Sequence, residues 1–179
     1  IENSLAGRVA DIHYLLPKYK LQIHGEYFLP VEHNLLARPE AKIEDIKYVR
    51  SHVQAISQCQ NIISKRKFKP IISVDTAGSA KDLAEGKDKS IAAIASNLSA
   101  KIYDLKILEK NIEDEKGNVT RFLIMGKNIE QPEYAANKKF ITSCIFRVKS
   151  EPSALYKCLG GFATNQINLT KLESFSVKN

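Results

Sequence analysis

Apolar and polar positions along this chain change period repeatedly, and the changes lay out an alternation of helices and strands. Leu5, Val9, Ile12, Leu15 and Leu16 fall at helical spacing and predict a helix over 5–16 that stops at Pro17. Residues 21–36 read as extended and partly alternating, with Pro30 interrupting the run because proline brings no N–H to a ladder. Tyr48-Val49 predicts a short strand, and Val53, Ile56, Cys59, Ile62 and Ile63 predict one amphipathic helix over 53–65 with those residues inward. There follow a strand at 70–74, a helix at 77–84, a strand at 90–95, a helix at 98–103 and a strand at 106–112. The polar turn Glu113-Asp114-Glu115-Lys116-Gly117-Asn118 lacks the spaced ligands of a calcium loop and reads as solvated. It leads into a strand at 119–125, and the alternation as a whole predicts an α/β architecture.

The pattern breaks at 126–139, a polar stretch with Pro132 that reads as a linker. Beyond it, 140–149 alternates as a strand, 153–165 is helical and 167–177 alternates again. Two strands and one helix are too few for a domain that stands alone. This reading predicts a chain cut at both ends.

Composition excludes several classes. The 179 residues carry 27 basic and 20 acidic side chains, a net charge of +7, and are 44% hydrophobic, as in a globular protein and unlike a disordered one. The longest apolar run, Ile91–Ala95, is far short of the ~18 residues a membrane helix needs, so no membrane partner is expected. The first residues show no secretory pattern. Cys59, Cys144 and Cys158 form no C-x-x-C pair, and His13, His24, His33 and His52 have no metal-ligand spacing. No disulfide framework or zinc site is indicated, and a reducing, cytoplasmic compartment fits. The dense basic patch Lys65-Arg66-Lys67-Phe68-Lys69 lies where a helix is predicted to end, and cations there complement the helix dipole. With no nucleic-acid-binding motif beside it, no nucleic-acid partner is expected.

Small polar residues open the predicted helices. Ser51 and Gln54 fit a capping box, with Ser51 as N-cap; Asp75-Thr76-Ala77-Gly78-Ser79 and Ser96-Asn97 open two more helices. Capping explains each one, while helix starts that follow sheet strands also make anion sites. Gly78 costs its helix ~1 kcal/mol relative to Ala, which close approach of a ligand to the backbone would explain.

These residues carry a resemblance. Ile1-Glu2-Asn3-Ser4, Ser51-His52-x-Gln54 with Gln58-Cys59, and above all Asn118-x-Thr120-Arg121-Phe122 resemble, in order and spacing, the signature segments of prephenate dehydratase. Ser153-Ala154-Leu155-Tyr156 and Leu172-Glu173-Ser174 resemble the two ligand motifs of the ACT regulatory domain that follows it. The resemblance covers essentially the whole chain. It implies a bilobal α/β catalytic region similar to type 2 periplasmic binding proteins over 1–126, a linker over 127–138 and a partial ferredoxin-like ACT domain over 139–179. Against the family pattern, an early βαβ portion of one lobe and the second half of the ACT domain are missing, so little turnover is expected of these 179 residues alone. Phe175-Ser176 stands where the commoner ACT motif has Arg-Pro.

The implied reaction converts prephenate to phenylpyruvate, water and carbon dioxide in phenylalanine biosynthesis, with no cofactor. The ring gains aromaticity, so positioning and fixed dipoles can supply much of the catalysis. A basic protein suits a dicarboxylate. By resemblance Thr120 donates to the leaving hydroxyl, with Asn3, Ser51 and Gln58 as further polar residues of the cleft. His52, Gln54, Thr76, Ala77, Gly78 and Phe122 would bind substrate. Thr120 and Phe122 share one strand face, whereas Arg121 points the other way and braces a lobe. Gln54 and Gln58, four apart, would share a helix face. By resemblance too, L-phenylalanine would be an allosteric effector held near Ala154, Leu155, Glu173 and Ser174 in a homodimer or homotetramer. Gly160-Gly161, costly inside a helix, mark either close approach of a partner or ligand, or a helix that ends at Leu159. Two alternatives stay open: an arogenate dehydratase, and a non-catalytic small-anion binding module.

Overall fold

The computed structural model describes residues 1–9, 12, 15, 16, 18, 19, 21–128, 130, 133 and 135–174. The chain forms two compact units, one made of residues 1–8 with 27–122 and the other of residues 9–26 with 123–179.

In the first unit the chain opens with β1 (Glu2–Asn3) and β2 (Gly7–Arg8), an antiparallel hairpin. This replaces the start of the helix expected over 5–16. Leu5 and Ala6 donate their N–H groups to the Asn3 side-chain oxygen at 3.1 and 2.8 Å, and this local asparagine turn competes with helix geometry. Pro17 and parts of that stretch lie outside the described residues. The extended run resolves into β3 (Gln22–Pro30), which ends at its proline, and β4 (Asn34–Ala37).

The remaining strands of the main sheet are β5 (Tyr48–His52), β6 (Lys69–Ser73), β7 (Ile91–Ala95) and β8 (Lys106–Glu109). Their order is β6-β5-β7-β4-β8, with β5 parallel to both β6 and β7, and β4 antiparallel to β7 and β8. Helices α1 (Val53–Ser57), α2 (Gln60–Arg66), α3 (Thr76–Glu85) and α4 (Asn97–Ile102) cover it. Alternation along the central strands sorts the core. Leu35, Ala92 and Ile94 pack with Ile56, Cys59, Ile62 and Ile63, while Leu36, Ala93 and Ala95 pack with Ala80, Leu83 and Ala100. The apolar run at 91–95 is therefore a central strand buried on both faces, as expected where helices flank parallel strands. A second ladder sets β1 between β2 and β9 (Val119–Gly126), with Glu2 opposite Arg121 and Asn3 opposite Thr120; β3 follows on the far side of β9.

The single helix expected over 53–65 is two helices. The Asp114 carboxylate accepts from the N–H groups of Gln60 and Asn61 at 2.7 and 3.0 Å, and the Asp114 N–H donates to the Gln58 carbonyl at 2.7 Å. A residue distant in sequence thus caps α2 and holds the break open. The inward residues are Ile56, Cys59, Ile62 and Ile63, whereas Val53 is exposed. The acidic turn is for the same reason more than solvated, since Glu113 also accepts from the His33 N–H at 3.0 Å. The basic patch closes α2 as expected: Lys65 and Arg66 lie in its last turn and Arg66 pairs with Glu109.

The second unit contains α5 (Ala154–Thr164), where Phe146 and Phe162 approach at 6.0 Å between ring centroids. The strands expected at 140–149 and 167–177 are not formed among the described residues, which make no ladder there. A strand is held by a neighbour's N–H and C=O groups, and none is offered among the described residues. The helix continues through Gly160 and Gly161, with open space where their side chains would be, so it does not end at Leu159.

The Cys59 thiol sits in the core, and burial, reinforced by the charges of Asp114 and Glu113, pushes its pKa up to about 12. At pH 8 only ~1 in 10⁴ of such thiols is ionised. A disulfide thiol reagent is expected to modify exposed Cys144 quickly in the native protein and Cys59 only on unfolding. Mass spectrometry of the labelled peptides checks this, and equal labelling of the two would contradict the burial argument.

Candidate active site

Two polar relays run through the first unit. The first begins with Asn3. Its side-chain oxygen is held by the Leu5 and Ala6 N–H groups, so its amide nitrogen must point the other way, and it donates to the Thr120 hydroxyl oxygen at 2.9 Å. A hydroxyl that accepts from an amide keeps its own proton for another partner. Thr120 is half-buried and no acceptor for that proton is found among the described residues.

The second relay centres on Gln58. Its side-chain oxygen accepts from Asn118 Nδ2 at 3.1 Å and faces His33 Nε2 at 2.9 Å. Asn118 is buried and its own oxygen accepts from the Ser4 hydroxyl at 3.3 Å, while Ser4 Oγ accepts from the Val119 N–H at 2.9 Å. The Gln58 N–H donates to the Gln54 carbonyl at 3.1 Å, the helical i to i+4 relation between the two glutamines. Gln58 is the C-cap of α1, turned toward the loop before β9, and Gln54 is exposed.

The other candidates lie along the carboxyl ends of β5, β6 and β7, which the parallel arrangement gathers at one sheet edge and where open α/β sheets bind ligands. The N-cap of α1 is His52, not Ser51: His52 Nδ1 accepts from the Gln54 N–H at 3.2 Å. Ser51 remains in β5, fully buried, and donates to the Ile94 carbonyl at 2.6 Å. Its hydroxyl ties two strands together.

At α3, the Asp75 carboxylate caps the helix by accepting from the Gly78 N–H. Half-buried Thr76 and exposed Ala77 flank that carboxylate, which already occupies the place an anion would take. A Cβ on Gly78 would lie 2.8 Å from Asp75 Oδ2. The close approach inferred for Gly78 is therefore made by Asp75 itself, and no ligand is needed to explain the glycine. Ser96 Oγ caps α4 similarly, accepting from the Ser99 N–H at 3.1 Å.

On β9, Arg121 lies opposite Glu2, with Nη1 3.8 Å from its carboxylate. Phe122, on the Thr120 face, is exposed. Sequence reasoning missed His33, and it had singled out Asn118 only as part of a motif. The signal for both was a buried polar residue, which sequence periodicity does not reveal. In the second unit Ala154 and Leu155 open α5; Glu173 pairs with Lys171 at 3.2 Å and Ser174 is exposed. Phe175 and Ser176 lie outside the described residues.

The family model for prephenate dehydratase matches residues 1–130, which include both relays and the capped sheet edge. The chain belongs to the prephenate dehydratase family. It is 42% identical over 180 residues to the bifunctional N-acyl-homoserine lactone acylase/prephenate dehydratase of Komagataeibacter europaeus, covering 99% of this chain and 63% of that protein. It is 44% identical over 174 residues to arogenate dehydratase/prephenate dehydratase 2 of Arabidopsis thaliana, covering 97% of this chain and 45% of that one. The crystal structure of prephenate dehydratase from Arthrobacter aurescens in complex with L-Phe is similar at a TM-score of 0.78 and 26% identity, over 94% of this chain and 56% of that one. The chain thus spans roughly half to under two thirds of the length of these relatives. The open mixed sheet flanked by helices is the α/β, periplasmic-binding-protein-like architecture that family membership led us to expect.

The Gly78 argument makes a thermodynamic prediction. In the unmodified protein Gly78→Ala is expected to destabilise, because the new methyl displaces the Asp75 cap. In an Asp75→Ala background the same change is expected to stabilise by ~1 kcal/mol through helix propensity alone. Urea unfolding of the four proteins of the cycle measures the coupling, and an absence of coupling would return Gly78 to a ligand-approach explanation.

Proposed function

We propose that this protein catalyses the decarboxylating dehydration of prephenate to phenylpyruvate. The observation that carries the reading is the Asn3–Thr120 hydrogen bond, because its direction leaves the Thr120 proton available. Departure of a ring hydroxyl develops negative charge on oxygen, and a donor already in place stabilises that charge at little reorganisation cost. Aromatisation of the ring and loss of carbon dioxide supply the driving force. Gln58 presents an amide donor suited to a substrate oxygen, Phe122 offers an exposed aromatic face for the ring, and Thr76, Ala77 and His52 border the sheet edge where the substrate's carboxylates would lie. On this reading Ser51 contributes as a strand tie.

Arogenate is the second substrate to test, because the Arabidopsis relative carries both names. Arogenate has an ammonium where prephenate has a keto oxygen. The donors left over by the two relays suit the keto oxygen, which favours prephenate. Among the described residues no serine or cysteine is hydrogen-bonded to a histidine, so nothing here favours the acylase named for the Komagataeibacter relative.

We assign residues 1–126 to catalysis, 127–138 to a linker and 139–179 to part of an ACT regulatory domain. L-phenylalanine would bind near Ala154, Leu155, Glu173 and Ser174 in a homodimer or homotetramer. The similarity to a structure in complex with L-Phe supports this part of the reading.

In the full-length protein, phenylpyruvate formation followed by absorbance in alkali tests the activity. Thr120→Val is expected to lower kcat by ~10²–10³ with little change in KM, and Thr120→Ser to keep part of the rate. Asn3→Asp, which turns the donor into an acceptor and takes up the Thr120 proton, should lower kcat to a similar degree. Wild-type rates from Thr120→Val would show that the hydroxyl has no role.

A further inference from the structure

The direction of the second relay can be worked out from one backbone group. The Val119 N–H can only donate, so Ser4 Oγ is its acceptor at 2.9 Å. The Ser4 proton then goes to the nearer of two oxygens, Asn118 Oδ1 at 3.3 Å rather than the Gly117 carbonyl at 3.5 Å. With its oxygen engaged, Asn118 must turn its NH2 group to Gln58, and it does so at 3.1 Å. The atom of Gln58 that receives it is therefore the carbonyl oxygen. An amide oxygen donates nothing, so His33 Nε2, at 2.9 Å from the same atom, must carry a proton.

His33 itself is held from two sides. It is buried, its N–H donates to Glu113 at 3.0 Å, and its carbonyl accepts from the Ile112 N–H at 2.8 Å. Gln58 is likewise fixed at its backbone, between the Gln54 carbonyl and the Asp114 N–H. Both lone pairs of the Gln58 side-chain oxygen are taken, while its NH2 group has no hydrogen-bond partner among the described residues.

We propose that His33 is a positioning residue. As the Nε2–H tautomer it joins Asn118 in pinning the Gln58 amide oxygen, so that Gln58 can meet a substrate oxygen only as a donor. The inference deepens the reading above and rests on it in one respect, that Gln58 faces the substrate. Without His33, only Asn118 opposes a half-turn of the Gln58 amide. That half-turn would present a carbonyl oxygen to an anionic substrate and replace attraction with repulsion. Since the contact is made to the bound substrate as well as to the transition state, its loss acts mainly on KM.

Two measurements on the full-length protein test this. First, long-range ¹H–¹⁵N correlation of the imidazoles at about pH 8 reports the His33 tautomer whether or not the protein turns over prephenate, and the His33→Gln variant identifies the resonance. The expected result is Nε2–H, and an Nδ1–H tautomer would overturn the proposal. Second, His33→Phe keeps an aromatic ring and removes the donor, whereas His33→Gln supplies a side-chain NH2 that can reach the same oxygen. On prephenate, His33→Phe is expected to raise KM about tenfold with kcat within about twofold, and His33→Gln to recover most of the loss. Equal losses in both variants, or a fall in kcat alone, would reduce His33 to a packing residue. A wild-type protein inactive on prephenate would instead defeat the functional reading, and the tautomer would still decide the direction of the relay.

Discussion

The side-chain oxygen of Gln58 has two lone pairs, and the arrangement of the first unit depends on both being filled. One partner, Asn118, belongs to the loop that delivers β9; the other, His33, sits at the entrance to β4. Gln58 can stand between them only because the chain stops being helical there, and it stops because Asp114 caps the helix that begins two residues later. Asp114 follows Glu113, which holds His33 by its N–H. The loop at 112–118 thus fixes the helix break, the histidine and the asparagine together. A buried polar cluster of this kind is stable only when every member is satisfied, and no buried side-chain nitrogen or oxygen among the described residues is left without a partner.

Helix starts show the same economy of donors. Each helix that follows a parallel strand is capped by a side chain from its own sequence: His52 for α1, Asp75 for α3 and Ser96 for α4. The caps stabilise the helices, and at α3 the cap is an anion. A bound carboxylate would then meet the dipole of α3 only in competition with Asp75. Under the proposed function, recognition of a substrate carboxylate at this edge would lean on the side-chain donors and on the N–H groups of Thr76 and Ala77, beside the capped Gly78 N–H.

Much of this fold is legible in the sequence, and the illegible parts have one physical character. The strands at 91–95 and 119–126 and the helix at 76–85 follow from period and apolar run, because their neighbours are set by burial alone. The break at Gln58 is invisible to any local window, since its cause is Asp114, which caps the next helix at Gln60 from 54 positions away. Ser51 has the chemistry of a cap and sits one residue before one, yet the Ile94 carbonyl claims its proton. The alternation at 140–149 is that of a strand, but alternation marks a face to bury, and a ladder also needs a neighbour. Asn3 and Thr120 were legible as candidate site residues only through their likeness to a family; that they touch depends on β1 and β9 pairing in register, although the two residues are 117 positions apart.

Both relays start from backbone N–H groups, which cannot change role, and both end in an uncommitted donor: the Thr120 hydroxyl and the Gln58 amide. A hydroxyl or an amide in isolation is ambivalent, able to turn and accept. Anchoring it to a main-chain donor, through Asn3 in the first relay and through Ser4 and Asn118 in the second, removes that freedom before any ligand arrives. A site built this way presents protons without presenting charge. Such a site suits a substrate whose reacting groups are oxygens that gain negative charge, and it leaves the basic surface to supply long-range attraction. It also explains why polar residues without a titrating role, asparagine and glutamine above all, dominate the relays: an amide holds a donor and an acceptor in a fixed relation at every pH, so the direction of the hydrogen bonds does not depend on protonation of the relay itself.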